Sequence, residues 1–151
     1  MPDLLVPLYT LPQLTALPDG VTIRPARPYE SHALLDFVRE HFFAKWVSEV
    51  TVALSAQPAK MLIAEEGGCC LGFACYDVTA RGFFGPTGVA PNERGRGIGK
   101  HLLMHSLHQL RHAGFAYAVI GQAGPVDFYK SACGAIVIPG SEPGFFGNSI
   151  A

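Results

Sequence analysis

Three cations and three glycines alternate in Glu93-Arg94-Gly95-Arg96-Gly97-Ile98-Gly99-Lys100, a combination suited to holding an anion. Glycine admits the backbone dihedrals and the close approach by which successive N–H groups converge on one point. A helix starting at such a turn adds its own unpaired N–H groups and the positive end of its dipole. The flanking chain meets that condition. Phe83 to Ala90 is a strand-like run upstream, and Leu103, Leu107 and Leu110 recur at helical spacing downstream. Strand, glycine-rich turn and helix N-terminus in succession predict a phosphate site over Arg94 to Lys100.

Two familiar phosphate motifs do not fit. A P-loop needs a glycine five residues before its Gly-Lys pair and Ser or Thr after it, and Arg94 and His101 hold those places. A Rossmann fingerprint needs GxGxxG with an acid about 20 residues on. Here the spacing is GxGxG, and the later region reads Phe115-Ala116-Tyr117. Neither ATP nor NAD is favoured.

The strand before the loop is itself unusual. Gly85, Pro86 and Gly88 interrupt it where a regular ladder would want side chains and an N–H donor. Proline cannot donate, and glycine inside a strand marks a bulge or a close backbone approach. The strand is expected to peel away from a neighbour and leave backbone groups to which an extended ligand can add like another strand.

The elements that must position this loop follow from periodicity. Residues 1 to 20 read as an extended arm ending at Pro18-Asp19-Gly20. Val21 to Pro25 is a short strand. Two helices follow, the first carrying Leu34, Phe37, Val38, His41 and Phe42, the second Phe43, Trp46, Val47, Val50 and Leu54. Met61 to Glu65 and Leu71 to Val78 are strands joined by Glu66-Gly67-Gly68, and Phe83 to Ala90 is the third of an antiparallel series. A third helix from about Gly97 to His112 crosses over to a parallel strand at Ala116 to Ile120. A fourth helix runs from Val126 to about Cys133, and Ala135 to Ile138, with Phe145 to Asn148, reads as one or two terminal strands. The fold class is α/β, one domain over 1–151.

Composition narrows the function. Hydrophobic residues make up 49% of 151, ample for one core, and the net charge of -1 argues against general attraction to nucleic acid. No membrane span or signal peptide is read, since prolines at 7, 12 and 18 divide the apolar N-terminal residues. Cys69, Cys70, Cys75 and Cys133 lack metal or disulfide spacing and read as thiols of a cytoplasmic protein. His101, His105, His108 and His112 form a helical stripe read as solvated surface, because no carboxylate or cysteine completes a metal ligand set.

The pattern Arg94-x-x-Gly97-x-Gly99, after a broken strand and before a helix, resembles the acetyl-coenzyme A pyrophosphate loop of the GNAT superfamily of N-acetyltransferases. The resemblance extends to the order of elements over roughly residues 21 to 148, and to Gly72-Phe73-Ala74-Cys75-Tyr76 and Gly85-Pro86-Thr87-Gly88-Val89. It implies a mixed, mostly antiparallel central sheet of six to seven strands with about four helices and a V-shaped splay between the fourth and fifth strands. It implies that the backbone of Arg94, Gly95, Arg96, Gly97, Ile98, Gly99 and Lys100 holds the pyrophosphate of acetyl-CoA, and that groups around Val89 hold the pantetheine arm. It also implies that Tyr129 is the general acid. Gly134 follows Tyr129 by five residues, where many members have four.

The function so implied is an acetyl-CoA-dependent N-acetyltransferase acting on a primary amine by direct attack, the acceptor being a small molecule or a peptide. A non-catalytic acyl-CoA-binding regulatory or sensor module is the alternative. Glu65, Glu66, Asp77, Asp127 and His41 stand as unranked candidates for the base, and Phe42, Phe43, Trp46 and Phe145 for an acceptor pocket. A homodimer through the terminal strands or the arm is compatible with the chain.

Overall fold

The computed structural model describes residues 1–150. Its strands are β1 (Leu4–Pro7), β2 (Val21–Pro25), β3 (Met61–Glu66), β4 (Cys69–Tyr76), β5 (Phe83–Val89), β6 (Tyr117–Ile120) and β7 (Ile136–Val137), and its helices α1 (Ser31–His41), α2 (Ala44–Ser55), α3 (Ile98–His112) and α4 (Val126–Cys133). The seven strands form one sheet in the order β2-β3-β4-β5-β6-β1-β7. Every pairing is antiparallel except β5 with β6, which the α3 crossover makes parallel.

The centre of the sheet is buried on both faces, which explains the unbroken apolar runs of β3 and β4. Leu62, Ala64, Leu71 and Ala74 pack with Leu102, Leu103, Leu107 and Leu110 of α3. The alternate residues Met61, Ile63, Phe73 and Cys75 pack with Leu34 and Val38 of α1 and Val50 and Ala53 of α2. Burial of each α3 leucine contributes about 1.5 to 3 kcal/mol. The β3–β4 hairpin closes through Gly67 and Gly68, both at positive φ (58° and 81°), as a primed two-residue turn requires.

Two expectations about the ends are corrected. The arm over 1–20 is not merely extended: its residues Leu4–Pro7 form a strand inserted between β6 and β7, with Leu4, Val6 and Leu8 fully buried. Alternation over so few residues is too short to announce a strand, and its partners lie more than a hundred residues away. At the other end Phe145–Asn148 is a 3-10 turn rather than a strand, and β7 keeps only two residues.

The arm also covers part of the histidine stripe. His108 Nε2 lies 2.9 Å from the carbonyl oxygen of Pro12. His105 is half-buried, and its pKa is lowered by burial first and by neighbouring His101 and His108 second. The stripe is therefore partly packed, and no cluster of three metal-ligating side chains exists among the described residues.

The splay falls between β5 and β6, the fourth and fifth strands when β1 is left out of the count. Pairing stops after Phe83↔Val119 and Phe84↔Ile120. At the next residue, Gly85, φ is +114°, and the register with β4 shifts between Ala74 and Tyr76. A side chain is disfavoured at that φ, so Gly85 is what lets β5 bend away from β6.

Candidate active site

The loop between β5 and α3 has the conformation that an anion site needs. Gly95 and Gly97 take φ of +88° and +77°, and Gly97 is the left-handed N-cap of α3 with no side-chain cap. The first backbone bond of the helix runs from His101 N–H to Gly97 O, at 3.1 Å. Among the described residues the N–H groups from Arg94 to Lys100 reach no acceptor, so they are available to a ligand. Ile98, 2% exposed, drives its side chain into the core and contributes only backbone to this surface.

The cations are placed unequally. Arg96 is committed to Glu66 (3.1 Å) and Glu93 (2.8 Å), an exposed network that staples the loop to the β3–β4 hairpin. Arg94 turns back so that its Nε donates to the carbonyl oxygen of Val89 at 3.2 Å. Lys100 is exposed. Gly99 is not constrained by its dihedrals, and a Cβ there would meet Val89 Cγ2 at an ordinary 3.7 Å.

Val89 links the loop to the splay. Ala90 N–H donates to Leu71 O at 2.8 Å on the β4 side. Antiparallel alternation therefore turns the N–H and carbonyl of Val89 to the other edge of β5. No strand pairs with that edge, because β6 has already diverged, and the Val89 carbonyl meets the Arg94 side chain there. The expected backbone groups for an extended arm are thus beside the expected pyrophosphate loop.

A cavity of about 740 Å³ occupies the splay toward the other end of β5. Phe84 to Thr87 form one wall, Ile120 to Pro125 the opposite wall, and the first half of α2 the floor. Tyr129 of α4 lines it and is only 8% exposed. Burial first, and nearby Cys133 second, raise its phenol pKa above the ordinary value of 10.0, which keeps the hydroxyl protonated. The helix ends regularly at Gly134, φ +70°, whose N–H reaches Lys130 O at 3.1 Å. The extra residue before this glycine is thus absorbed by a left-handed cap.

None of the five acids and bases proposed from sequence lines the cavity. Glu65 is engaged by Arg24 and Glu66 by Arg96. Asp77 takes the Gly82 N–H together with Lys60 and Arg81, which lower its pKa against the opposing effect of burial. His41 packs edge-on against Phe37. Asp127 is exposed in the first turn of α4. The carboxylate that does line the cavity is Glu49 of α2, whose Oε1 accepts a 2.5 Å hydrogen bond from Thr79 Oγ1. Sequence reading passed over it because it lies inside a helix whose stripe reads as core.

Of the aromatics expected there, Phe43 and Trp46 line the cavity, while Phe42 packs on Phe73 and Trp46 instead. Phe146 rather than Phe145 completes the wall, and Phe145 packs at a tilt against Phe83 with ring centroids 4.7 Å apart. Met1 also reaches the wall. Asp3 secures that side, because its Oδ1 accepts the N–H groups of Gln122 (2.9 Å) and Phe145 (3.0 Å).

Comparisons with known proteins agree with this fold. No curated protein matches the sequence. Among solved structures, a GCN5-related N-acetyltransferase from Sphaerobacter thermophilus is 26% identical with a TM-score of 0.74, over 91% of this chain and 48% of that one. A GNAT family acetyltransferase from Brucella melitensis, in complex with acetyl-CoA, is 29% identical with a TM-score of 0.57, over 74% of this chain and 80% of that one. The glucosamine N-acetyltransferase region of a fungal multi-domain β-N-acetylglucosaminidase shares the fold at 18% identity and a TM-score of 0.72, over 91% of this chain and 19% of that one. The chain thus spans less than half the length of two of these three. The model of the acetyltransferase (GNAT) family matches residues 23–135, which take in most of β2, β3 to β6, the glycine-rich loop and all four helices. On that match and this architecture, the chain belongs to the GNAT acetyltransferase family.

Proposed function

We propose that the protein is an acetyl-CoA-dependent N-acetyltransferase that moves an acetyl group to a primary amine by direct attack. One observation carries the reading: the unpartnered N–H groups of Arg94 to Lys100, the edge of β5 at Val89 that no strand pairs with and a cavity holding Tyr129 lie along a single splay. When bound, acetyl-CoA supplies the acetyl thioester. Loop N–H groups from Arg94 to Lys100 take the pyrophosphate, with charge-assisted hydrogen bonds of about 1.5 to 3 kcal/mol each outweighing the roughly 0.3 to 1 kcal/mol of the helix dipole. The edge of β5 around Val89 takes the pantetheine arm, and its N–H polarises the carbonyl to be attacked. Tyr129, protonated and with no hydrogen-bond partner for its hydroxyl among the described residues, holds the proton that a leaving sulfur requires. A cytoplasmic setting goes with this reading of the cysteines as thiols. No helix among the described residues is long and apolar enough to cross a membrane.

The test is thiol release from acetyl-CoA over a panel of amines, with calorimetric affinity for acetyl-CoA measured alongside. Saturable binding and amine-dependent release are expected. Tight binding without turnover on any amine makes the protein an acyl-CoA sensor. Absence of binding overturns both readings.

A further inference from the structure

The cavity wall has one charge that its surroundings leave uncompensated. Among the described residues Glu49 is the only acid lining it. The carboxylate receives the Thr79 hydroxyl and has no cationic partner among the described residues. Lys45, one turn earlier on α2, also lines the cavity but is exposed and makes no ion pair with Glu49. The cavity that Glu49 lines is rich in apolar side chains, with the rings of Phe43, Trp46, Phe83 and Phe146 and the chain of Met1. A half-buried anion in a cavity lined by aromatic rings attracts a cation, through the ion pair and through the negative ring faces.

We propose that the acceptor is a monocationic primary amine carried on an apolar, ring-sized body, with its ammonium held by Glu49 and its body against Trp46 and Phe43. The proposal rests on the acetyltransferase reading and names the substrate class for it. Acceptors of other chemistry fit less well. An amine bearing carboxylates needs buried cations, and the cations that the described residues bring to the wall are the exposed Lys45 and the Met1 ammonium, which is exposed and already paired with Glu142 at 2.9 Å. A polyhydroxylated amine needs many hydrogen-bond partners, and rings supply few.

The proton account closes with these residues. The ammonium gives one proton to the Glu49 carboxylate, which passes it to solvent. The neutral nitrogen forms the new C–N bond to the acetyl carbon and the C–S bond breaks. The sulfur takes the Tyr129 proton, and the second proton of the nitrogen restores the phenol. One proton is released for each acetyl group transferred. Thr79 is a positioning residue: its hydroxyl aims the Glu49 carboxylate into the cavity rather than along α2.

The experiment compares phenethylamine, L-phenylalanine, L-glutamate and glucosamine as acceptors for the full chain. Phenethylamine is expected to show the highest kcat/KM, by about tenfold or more over the carboxylated and polyhydroxylated amines. Glu49→Gln is expected to lower kcat/KM for phenethylamine by about tenfold or more, with acetyl-CoA affinity and thermal midpoint retained. Thr79→Val should lower it less, and Thr79→Ser should restore it. Preference for glutamate or glucosamine, or an unchanged Glu49→Gln, overturns the proposal. Binding is read apart from turnover by titrating phenethylamine into wild type and Glu49→Gln. Binding lost in the variant, with no thiol released by either protein, sustains the acceptor site and removes the acetyltransferase reading. Equal binding to both removes the site.

Discussion

The ring of Phe42 occupies the space where a side chain on Gly88 would stand: a Cβ at Gly88 would lie 2.5 Å from the ring's Cε1 and Cζ atoms. The ring cannot easily retreat, because it is packed on Trp46 and Phe73, with centroids 5.3 and 5.6 Å away. This contact presses the α1–α2 junction against β5 and sets the distance of the α2 floor from the splay. Gly88→Ala is expected to cost about 1 to 3 kcal/mol by overpacking, measured by urea unfolding. Combining it with Phe42→Leu should recover part of that loss, and additive losses would show that the ring is not the obstacle.

The donor loop should depend on backbone shape more than on charge. Gly97→Val places a β-branched residue at φ +77°, a strain of about 1 to 3 kcal/mol. Relief by a changed loop is expected to weaken acetyl-CoA binding by about 5- to 150-fold. Arg96→Ala should cost no more than about threefold, because Arg96 is already paired with Glu66 and Glu93 at an exposed site. Calorimetry giving the reverse order contradicts a backbone cradle.

Tyr129→Phe removes the phenol and keeps the ring. A loss of about 100-fold or more in kcat is expected for a general acid, with acetyl-CoA affinity intact. The pH dependence has a definite sign. A phenol whose pKa is raised above 10.0 by burial stays protonated through neutral pH. Its contribution to the rate therefore falls only as pH rises through that raised value. The variant should lose this alkaline limb, and an unchanged limb would assign it to another group.

Acid stability should report on the start of α1. Arg24 grips Glu30 through Nη1 and Nη2, at 2.8 and 2.6 Å, and Glu65 through Nε at 2.9 Å. Arg24 chiefly, and the Arg27 N–H as well, bring Glu30 from its ordinary 4.5 to about 2 against the opposing effect of burial. A depressed carboxylate pKa adds stability that is fully present above pH 4.5 and lost as pH falls toward 2. Glu30→Gln should cost about 1 kcal/mol at neutral pH, the size of a partly solvated pair. The difference between wild type and variant should vanish across that window when unfolding is followed at stepped pH.

Much of the fold was legible because its signals are local. Gly67-Gly68 announces a primed hairpin turn, Gly97 a left-handed helix start, and the leucines of α3 their own buried face. The break in β5 was legible from Gly85 and Pro86, since a missing N–H and a positive φ are properties of the residues themselves. β1 was not legible as a strand, because Leu4–Pro7 is four residues long and pairs with Tyr117 to Ile120 and with Ile136 and Val137. The histidine stripe read as solvated for the same reason: the segment that covers it comes from the far end of the chain.

The loop proposed for the donor was determined by the sequence itself, since an anion-binding shape needs only glycine dihedrals and unpaired N–H groups within the seven residues Arg94 to Lys100. The cavity proposed for the acceptor was decided by the tertiary structure. Met1, Glu49, Thr79, Tyr129 and Phe146 meet in one cavity although they lie far apart in sequence. Glu49 has the local signature of any helix-face acid, and only the packing of α2 on β5 and of Thr79 beside it turns that carboxylate inward. Backbone conformation follows from neighbours in the chain, whereas the convergence of side chains depends on which surfaces the core brings together.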